Sequence, residues 1–118
     1  MKDFKKLEVW QRGIKIVKSA YKLTKLLPKE ERFNLTSQIN RSAVSIPSNI
    51  AEGSSRKSEK DYFRFLEIAL GSCFELETQI IILNVLCFAN ESKTKEILEL
   101  IESEEKQLFA FMNLLNKQ

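Results

Sequence analysis

The clearest periodic pattern in the chain lies in residues 7–27, which read LEVWQRGIKIVKSAYKLTKLL. Apolar residues recur there at steps of three and four, as on one face of an α-helix. Basic residues keep the same spacing on the opposite side, and Pro28 follows directly. The stretch therefore predicts an amphipathic first helix that ends at Pro28. Gly13 inside it has a low helix propensity, which hints either at a close packing contact or at no structural role.

The same periodicity predicts three further helices. The second spans residues 29–52, with Pro47 bending it and Gly53 as its C-cap. The third begins after Ser58, a capping residue, and runs to about residue 88, and the fourth follows a short turn and reaches about residue 116. Hairpin turns and alternating strand patterns are missing from the sequence. These features predict an all-α, antiparallel up-and-down four-helix bundle.

The length and the apolar runs bound the organisation of the chain. At 118 residues it fits one domain, which we take as residues 1–118. Its longest apolar run, residues 80–89, is about half of the roughly 20 residues that a membrane-spanning helix needs. No apolar run follows the first six residues, so nothing there resembles a signal peptide. We therefore expect a cytoplasmic protein without a membrane span.

The residue types present exclude most catalytic chemistry. The chain has no histidine, which removes the usual catalytic triads and histidine metal sites. Its three glycines are isolated, so no phosphate-binding loop can form. Cys73 and Cys87 lie ~21 Å apart if they share one helix, too far for a disulfide or a two-thiolate metal site, and we expect both in the core. The sequence thus predicts no catalytic residue, no metal and no cofactor.

Two segments are unusually poor in charge for a single bundle. Residues 33–51 carry one charge, Arg41, and residues 78–90 carry none, although 30% of the chain is charged. The run from Ile80 to Leu83 covers every direction around its helix, which indicates burial on all sides. A four-helix bundle buries one stripe per helix, so the surplus surface needs a partner. We expect that partner to be a second copy of the chain.

The second helix also carries a polar strip that could serve assembly. Its members repeat at steps of four, four and three and are Arg41, Ser45, Asn49 and Glu52. The strip could be a binding site or a buried hydrogen-bond network, and we favour the network because polar groups at an interface must be satisfied.

Charge is distributed unevenly along the chain. Residues 1–64 hold 15 Lys or Arg against 7 Asp or Glu, whereas residues 65–118 hold 4 against 9. The candidate nucleic-acid-binding residues are a basic stripe on the first helix and two residues of the loop after the second. They are Arg12, Lys15, Lys18, Lys22, Lys25 and Lys29, with Arg56 and Lys57. Such a stripe could instead meet an acidic protein or simply be solvated.

Two stretches carry a family resemblance: FKKLEVW at residues 4–10 and QINRSAVSIPSNIAEG at residues 38–53. FL at 65–66 and ALGS at 69–72, with Glu75 and Glu77, add to it. The chain closely resembles the bacterial four-helix bundle proteins named for the 23S ribosomal RNA intervening sequence. The resemblance implies a homo-oligomeric ring, typically a pentamer. It also implies kinship with the accessory variability determinant of diversity-generating retroelements, a basic pentamer that binds nucleic acid and a reverse transcriptase.

These observations favour a non-enzymatic, homo-oligomeric helical bundle that acts as a nucleic-acid-binding or scaffold module, with RNA or DNA as its ligand. The alternative is a protein-interaction scaffold whose basic face binds an acidic partner. A metal-dependent nuclease that uses carboxylates alone would need clustered acids, whereas the acids of this chain are scattered at surface-like spacings.

Overall fold

The chain folds into four α-helices, as the computed structural model of residues 3–116 shows. They are α1 (Glu8–Thr24), α2 (Ser37–Ser54), α3 (Glu59–Val85) and α4 (Glu91–Asn116), preceded by a single 3₁₀ turn at Phe4–Lys6. Within residues 3–116 no strand is present, which confirms the all-α prediction. The predicted domain, 1–118, extends two residues beyond the described part at each end.

The helices pack in an up-and-down order into a rod of 46 × 22 × 20 Å. Each helix packs against the one that follows it, and α4 returns to pack against α1. The α1 and α3 helices therefore occupy opposite corners of the bundle. The core lies between all four, and each helix contributes fully buried side chains, such as Ile16, Ile46, Ile80 and Ile101.

Two polar contacts fix how neighbouring helices align. Thr24 on α1 donates its hydroxyl to Asn40 Oδ1 on α2 at 3.0 Å. At the same end of the bundle, Asn84 Nδ2 on α3 donates to Thr94 Oγ1 on α4 at 2.9 Å. Because these groups are partly or fully buried, a slip of either helix would leave them unsatisfied.

The connection between α1 and α2 differs from the predicted helix start at Lys29. A 3₁₀ turn at Lys29–Glu31 and a π-helical turn at Arg32–Thr36 come first, and α2 begins at Ser37. Apolar spacings of three and four residues fit all three kinds of helix in so short a stretch, so periodicity could not distinguish them. Pro47 lies inside α2, which continues beyond it as predicted but ends at Ser54, past the predicted end at residue 52.

The ends of α3 confirm one prediction and correct another. Ser58 caps its start, with the hydroxyl accepting from the Asp61 amide at 3.1 Å. Its end is a Schellman motif in which the Phe88 amide bonds Leu83 O at 2.9 Å. Cys87 takes the left-handed position of that motif, with a φ of 62°. Cys87 is therefore exposed and not in the core, whereas Cys73 is buried as predicted.

The outer side of α3 is exposed in a single chain, so the burial on all sides expected for residues 80–83 would require the expected partner. Ile80 and Leu83 are fully buried, but Ile81 is 46% exposed, and Phe74 and Val85 are exposed as well. The helix is long and apolar enough to cross a membrane, yet core helices of bundles pass the same test and nearly half of its most apolar part is buried here. A lone bundle leaves this surplus apolar surface uncovered.

Two glycines mark places where helices approach closely. A Cβ atom at Gly13 would lie 3.2 Å from Pro47 Cβ, which confirms the close packing contact expected from the sequence. Gly53 is not a C-cap, because α2 continues through it. A Cβ atom there would lie 2.8 Å from Phe65 Cβ and 2.9 Å from Tyr62 Cδ1. The crossing of α2 and α3 therefore requires glycine at position 53.

Substituting alanine at Gly53 and at Gly71 should have opposite effects on stability. We expect Gly53→Ala to destabilise the fold by roughly 1–3 kcal/mol, because the methyl group overpacks the crossing. Gly71 is exposed in the middle of α3, and nothing lies within 4 Å of a Cβ atom there. Gly71→Ala should stabilise by up to about 1 kcal/mol through helix propensity. Urea unfolding followed by circular dichroism measures both, and a stabilised Gly53→Ala would contradict the packing described.

Candidate functional site

The centre of the bundle contains a buried polar group that the sequence did not single out. Glu104 on α4 is fully buried, and its Oε1 accepts a hydrogen bond from Arg12 Nη1 on α1 at 3.3 Å. Arg12 Nη1 also donates to Gln107 Oε1 at 2.7 Å, and its side chain is only 20% exposed. The prediction that Arg12 belongs to the basic stripe is therefore wrong, because the guanidinium turns inward to a buried carboxyl group.

The Glu104 carboxyl group is held in an apolar environment. Its Oε2 atom has no hydrogen-bond partner in the described part of the chain and faces the Gly13–Pro47 contact. Burial raises the pKa of Glu104 to about 8, and the hydrogen bond and charge of Arg12 offset only part of that shift. Glu104 lies three residues after Ile101 and four before Leu108, both fully buried, and this helical spacing was the available signal that the acid faces the core.

A second pair of carboxyl groups lies between α3 and α4. The side chains of Glu77 and Glu105 are half-buried and hydrogen-bonded to each other. Burial raises the pKa of Glu105, and the hydrogen bond and charge of Glu77 and the charge of Glu102 raise it further. Every contribution raises the pKa of Glu105. Unlike Glu104, which Arg12 contacts, Glu105 has no nearby cation among the residues described that lowers its pKa.

The Cys73 thiol lies near these acids and is unreactive. Burial raises its pKa far above the ordinary value, and the charges of Glu104, Glu105 and Glu77 add to the effect. A protonated thiol in the core is a poor nucleophile and a poor metal ligand. Among the residues that the structure describes, no three Cys, Asp or Glu side chains lie close enough together to hold a metal ion.

The remaining residues of the basic stripe form an exposed row on α1. The row consists of Lys15, Lys18, Lys22 and Lys25. At 100° per residue the four fall within an arc of about 80°. Within residues 3–116 none of them forms an ion pair, and Lys29 is exposed in the turn beyond the helix. We call these four residues the lysine row.

The lysine row borders a cleft between α1 and the start of α4. Lys22 lines it from α1, and Lys93 and Ser92 line it from α4, around a volume of about 260 Å³. Glu96 is the acid at this cleft. The row therefore continues onto α4 through Lys93, a residue that the sequence reasoning missed because it lies about 70 positions away in the chain.

Arg56 and Lys57 do not extend the lysine row. They follow the end of α2, at the end of the bundle opposite to the one where Lys22, Lys25 and Lys29 lie. Arg56 also donates to Glu52 Oε1 at 3.2 Å, and its guanidinium lies 4.7 Å from the centre of the Phe65 ring. Arg56 therefore already contacts a carboxylate and an aromatic ring of its own chain.

The predicted polar strip on α2 divides into an inner and an outer part. Ser45 Oγ lies 2.8 Å from Ser72 Oγ on α3, and Asn49 Nδ2 donates to Ser45 Oγ at 2.9 Å. These half-buried groups form a hydrogen-bond network within one chain. Arg41 and Glu52 are exposed, and Glu52 is taken by Arg56. The structure does not bring the four residues together into one site.

The fold and this surface define a class of protein: a four-helix bundle with a buried Arg–Glu contact and one basic helix, but no cluster of metal ligands within residues 3–116. The family model of the 23S rRNA-intervening sequence protein matches residues 5–110, so the chain belongs to that family. No curated protein matches its sequence. The kinship with the accessory variability determinant remains a prediction.

A solved structure has the same fold. It is the crystal structure of a protein of unknown function from the S23 ribosomal protein family of Bacteroides thetaiotaomicron. The two chains are 26% identical, with a TM-score of 0.82, and the match covers 88% of this chain and 97% of the other. The four-helix fold is therefore that of the family, whose name does not state an activity.

The buried acids should make the protein less stable as pH rises. Glu104 has a pKa of about 8 in the folded protein, against an ordinary value of 4.5. The unfolded chain therefore loses its proton first, and the free energy of unfolding falls between about pH 5 and pH 8, by on the order of a few kcal/mol. Glu104→Gln should reduce the slope of the free energy of unfolding against pH. Glu105 should account for part of the pH dependence that remains. Urea unfolding at pH 5, 6.5 and 8 measures it.

Glu99→Gln, at an exposed position of the same helix, is the matched control and should leave the slope unchanged. Equal slopes for Glu104→Gln and the wild-type protein would contradict the assignment.

Proposed function

We propose that this chain is a non-enzymatic, homo-oligomeric bundle of the cytoplasm that binds nucleic acid through the lysine row of α1. The single observation that carries the proposal is the row itself. It presents four exposed ammonium groups along one helix, with no acid of the described chain paired to them. Surface lysines of a bundle are commonly balanced by acids one turn away, and here the balancing acids are missing.

The type of cation indicates what kind of binding to expect. Lysine is a point charge that attracts phosphate without reading bases, and the one arginine of the stripe is turned inward to Glu104. Binding should therefore be tolerant of sequence and strongly dependent on salt. RNA is the first ligand to test, because the family name refers to a ribosomal RNA.

Assembly would multiply a weak contact of this kind. The outer side of α3 exposes Ile68, Phe74, Ile81 and Val85. A second copy is the simplest cover for that surface, and a closed ring, with five copies as the resemblance implies, would repeat the lysine row around its circumference.

A protein partner is the second candidate, and one observation favours it. Ile14 and Tyr21 are 43% and 44% exposed on α1 beside the lysine row. Apolar side chains next to cations suit an acidic protein surface, such as that of a reverse transcriptase, better than a phosphate backbone.

We expect light scattering to give a mass several times 13.7 kDa for the wild-type protein. Ile81→Glu should lower that mass, because it places a charge on the exposed apolar surface of α3. Asn113→Glu, on the exposed side of α4, is the control and should assemble normally. A wild-type protein that stays monomeric at all concentrations would contradict the proposal of assembly. Ser45 is a poor site for such a test, because its hydroxyl contacts Ser72 within the chain.

Nucleic-acid binding is tested by salt titration against unrelated RNA and DNA fragments. A variant with glutamine at Lys15, Lys18, Lys22 and Lys25 should bind more weakly, and its salt slope should fall by about 0.7–0.9 for each lost phosphate contact. The matched control carries glutamine at Lys6, Lys60, Lys95 and Lys106, which are exposed elsewhere. Equal losses in the two variants would show that total charge matters and the lysine row does not. Absence of wild-type binding at low salt would favour the protein partner.

A further inference from the structure

The groove between α3 and α4 presents carboxyl groups between apolar side chains. Phe74 and Ile81 lie one turn to either side of Glu77 on α3, and Phe109 lies one turn from Glu105 on α4. The three apolar side chains are 51%, 46% and 57% exposed, respectively. Two contacts set the antiparallel register of α3 and α4: Asn84 with Thr94, and Glu77 with Glu105. In this register Phe109 lies less than one helical turn from Phe74 along the helix axis. We call this surface the acidic groove.

The acidic groove is incomplete in a single chain. The Glu77–Glu105 pair is half-buried, Glu105 Oε2 is buried without a hydrogen-bond partner in the described residues, and the nearby charge of Glu102 is also negative. Arg12, which serves the other buried acid of the core, is occupied by Glu104 and Gln107. A cation brought from outside would complete the site and cover the exposed aromatic rings.

The α1 helix carries the complementary pattern on its outer side. Ile14, Lys18, Tyr21 and Lys25 stand at i, i+4, i+7 and i+11, so they form one straight stripe. The stripe alternates an apolar side chain, a cation, an aromatic ring and a cation, and all four side chains are exposed. Lys18 thus lies one turn from an apolar neighbour on each side, the same spacing that separates the carboxyl pair from Phe74 and Ile81.

We propose that the Ile14–Lys25 stripe of one copy docks in the acidic groove of the next, with Lys18 against the Glu77–Glu105 pair. A chain cannot fill its own groove, because α1 and α3 occupy opposite corners of the bundle. The occupant is therefore a second copy, for which both the charge and the apolar spacing match. This inference rests on the proposed assembly and names the two surfaces that meet in it.

The contact joins two different surfaces, so it is heterologous and builds a ring when it closes or a filament when it does not. It also divides the lysine row. Lys18 and Lys25 belong to the docking stripe, whereas Lys15 and Lys22 lie on the side that faces α4. The latter two stay open to phosphate in the assembly, together with Lys93.

Charge reversal tests the contact by analytical ultracentrifugation at low salt. Lys18→Glu and Glu105→Lys should each weaken assembly by about tenfold or more, a loss of about 1.4 kcal/mol or more. The double variant Lys18→Glu/Glu105→Lys should recover most of that loss, because the pair is restored with its signs exchanged. Lys15→Glu is the matched control, with the same change of charge on the same helix, and should stay within about twofold of the wild-type protein.

Each outcome separates this inference from the proposed assembly. A monomeric wild-type protein overturns both. If the wild-type protein assembles but Lys18→Glu weakens the assembly no more than Lys15→Glu, the docking stripe alone is overturned. The same conclusion follows if the double variant is helical but shows no recovery. If Glu105→Lys loses its helical signal, Glu105→Gln replaces it. Lys18→Glu is then introduced both into the wild-type protein and into the Glu105→Gln variant. It should weaken assembly more in the wild-type protein, and equal effects in the two would overturn the contact.

Discussion

The outer side of α3 carries more apolar surface than its two neighbouring helices, α2 and α4, can cover, and the proposed assembly follows from that excess. In an ordinary bundle each helix buries one stripe and shows a charged face to water. Here Ile80 and Leu83 fill the core while Phe74, Ile81 and Val85 remain outside it. Since exposed apolar patches of this kind mark interaction sites, this surface is the main argument for the proposed assembly.

The buried polar groups serve alignment more than stability. Burying the Arg12–Glu104 contact costs desolvation that the pairing repays only in part, as the raised pKa of Glu104 shows. Its value lies in geometry, because Glu104 can meet Arg12 in only one register of α1 against α4. The Thr24–Asn40 contact acts in the same way between α1 and α2, and the Asn84–Thr94 contact between α3 and α4.

Charge is sorted by helix, and that sorting connects the two proposals. Within residues 3–116 Arg12 is the one basic residue of α1 that pairs with an acid of α3 or α4, and the lysine row forms no ion pair with them. Charges separated in this way attract either a second copy or a phosphate backbone. Lys18 and Lys15 fall on different sides of one arc of α1. The helix can therefore contact a second copy through Lys18 and a phosphate backbone through Lys15 at the same time.

The sequence by itself determined the number of helices, the cap at Ser58, the continuation of α2 through Pro47 and the close contact at Gly13. These depend on periodicity, capping and residue size, which act over a few neighbouring positions. Only the tertiary structure decided that Arg12 turns inward, that Glu104 is buried, that Gly53 lies in a helix crossing and that Arg56 and Lys57 are remote from the lysine row. Each of these depends on residues of another helix, which a helical pattern does not specify. The exposure of Cys87 was decided by a Schellman turn, which the sequence did not announce because the usual glycine is absent there.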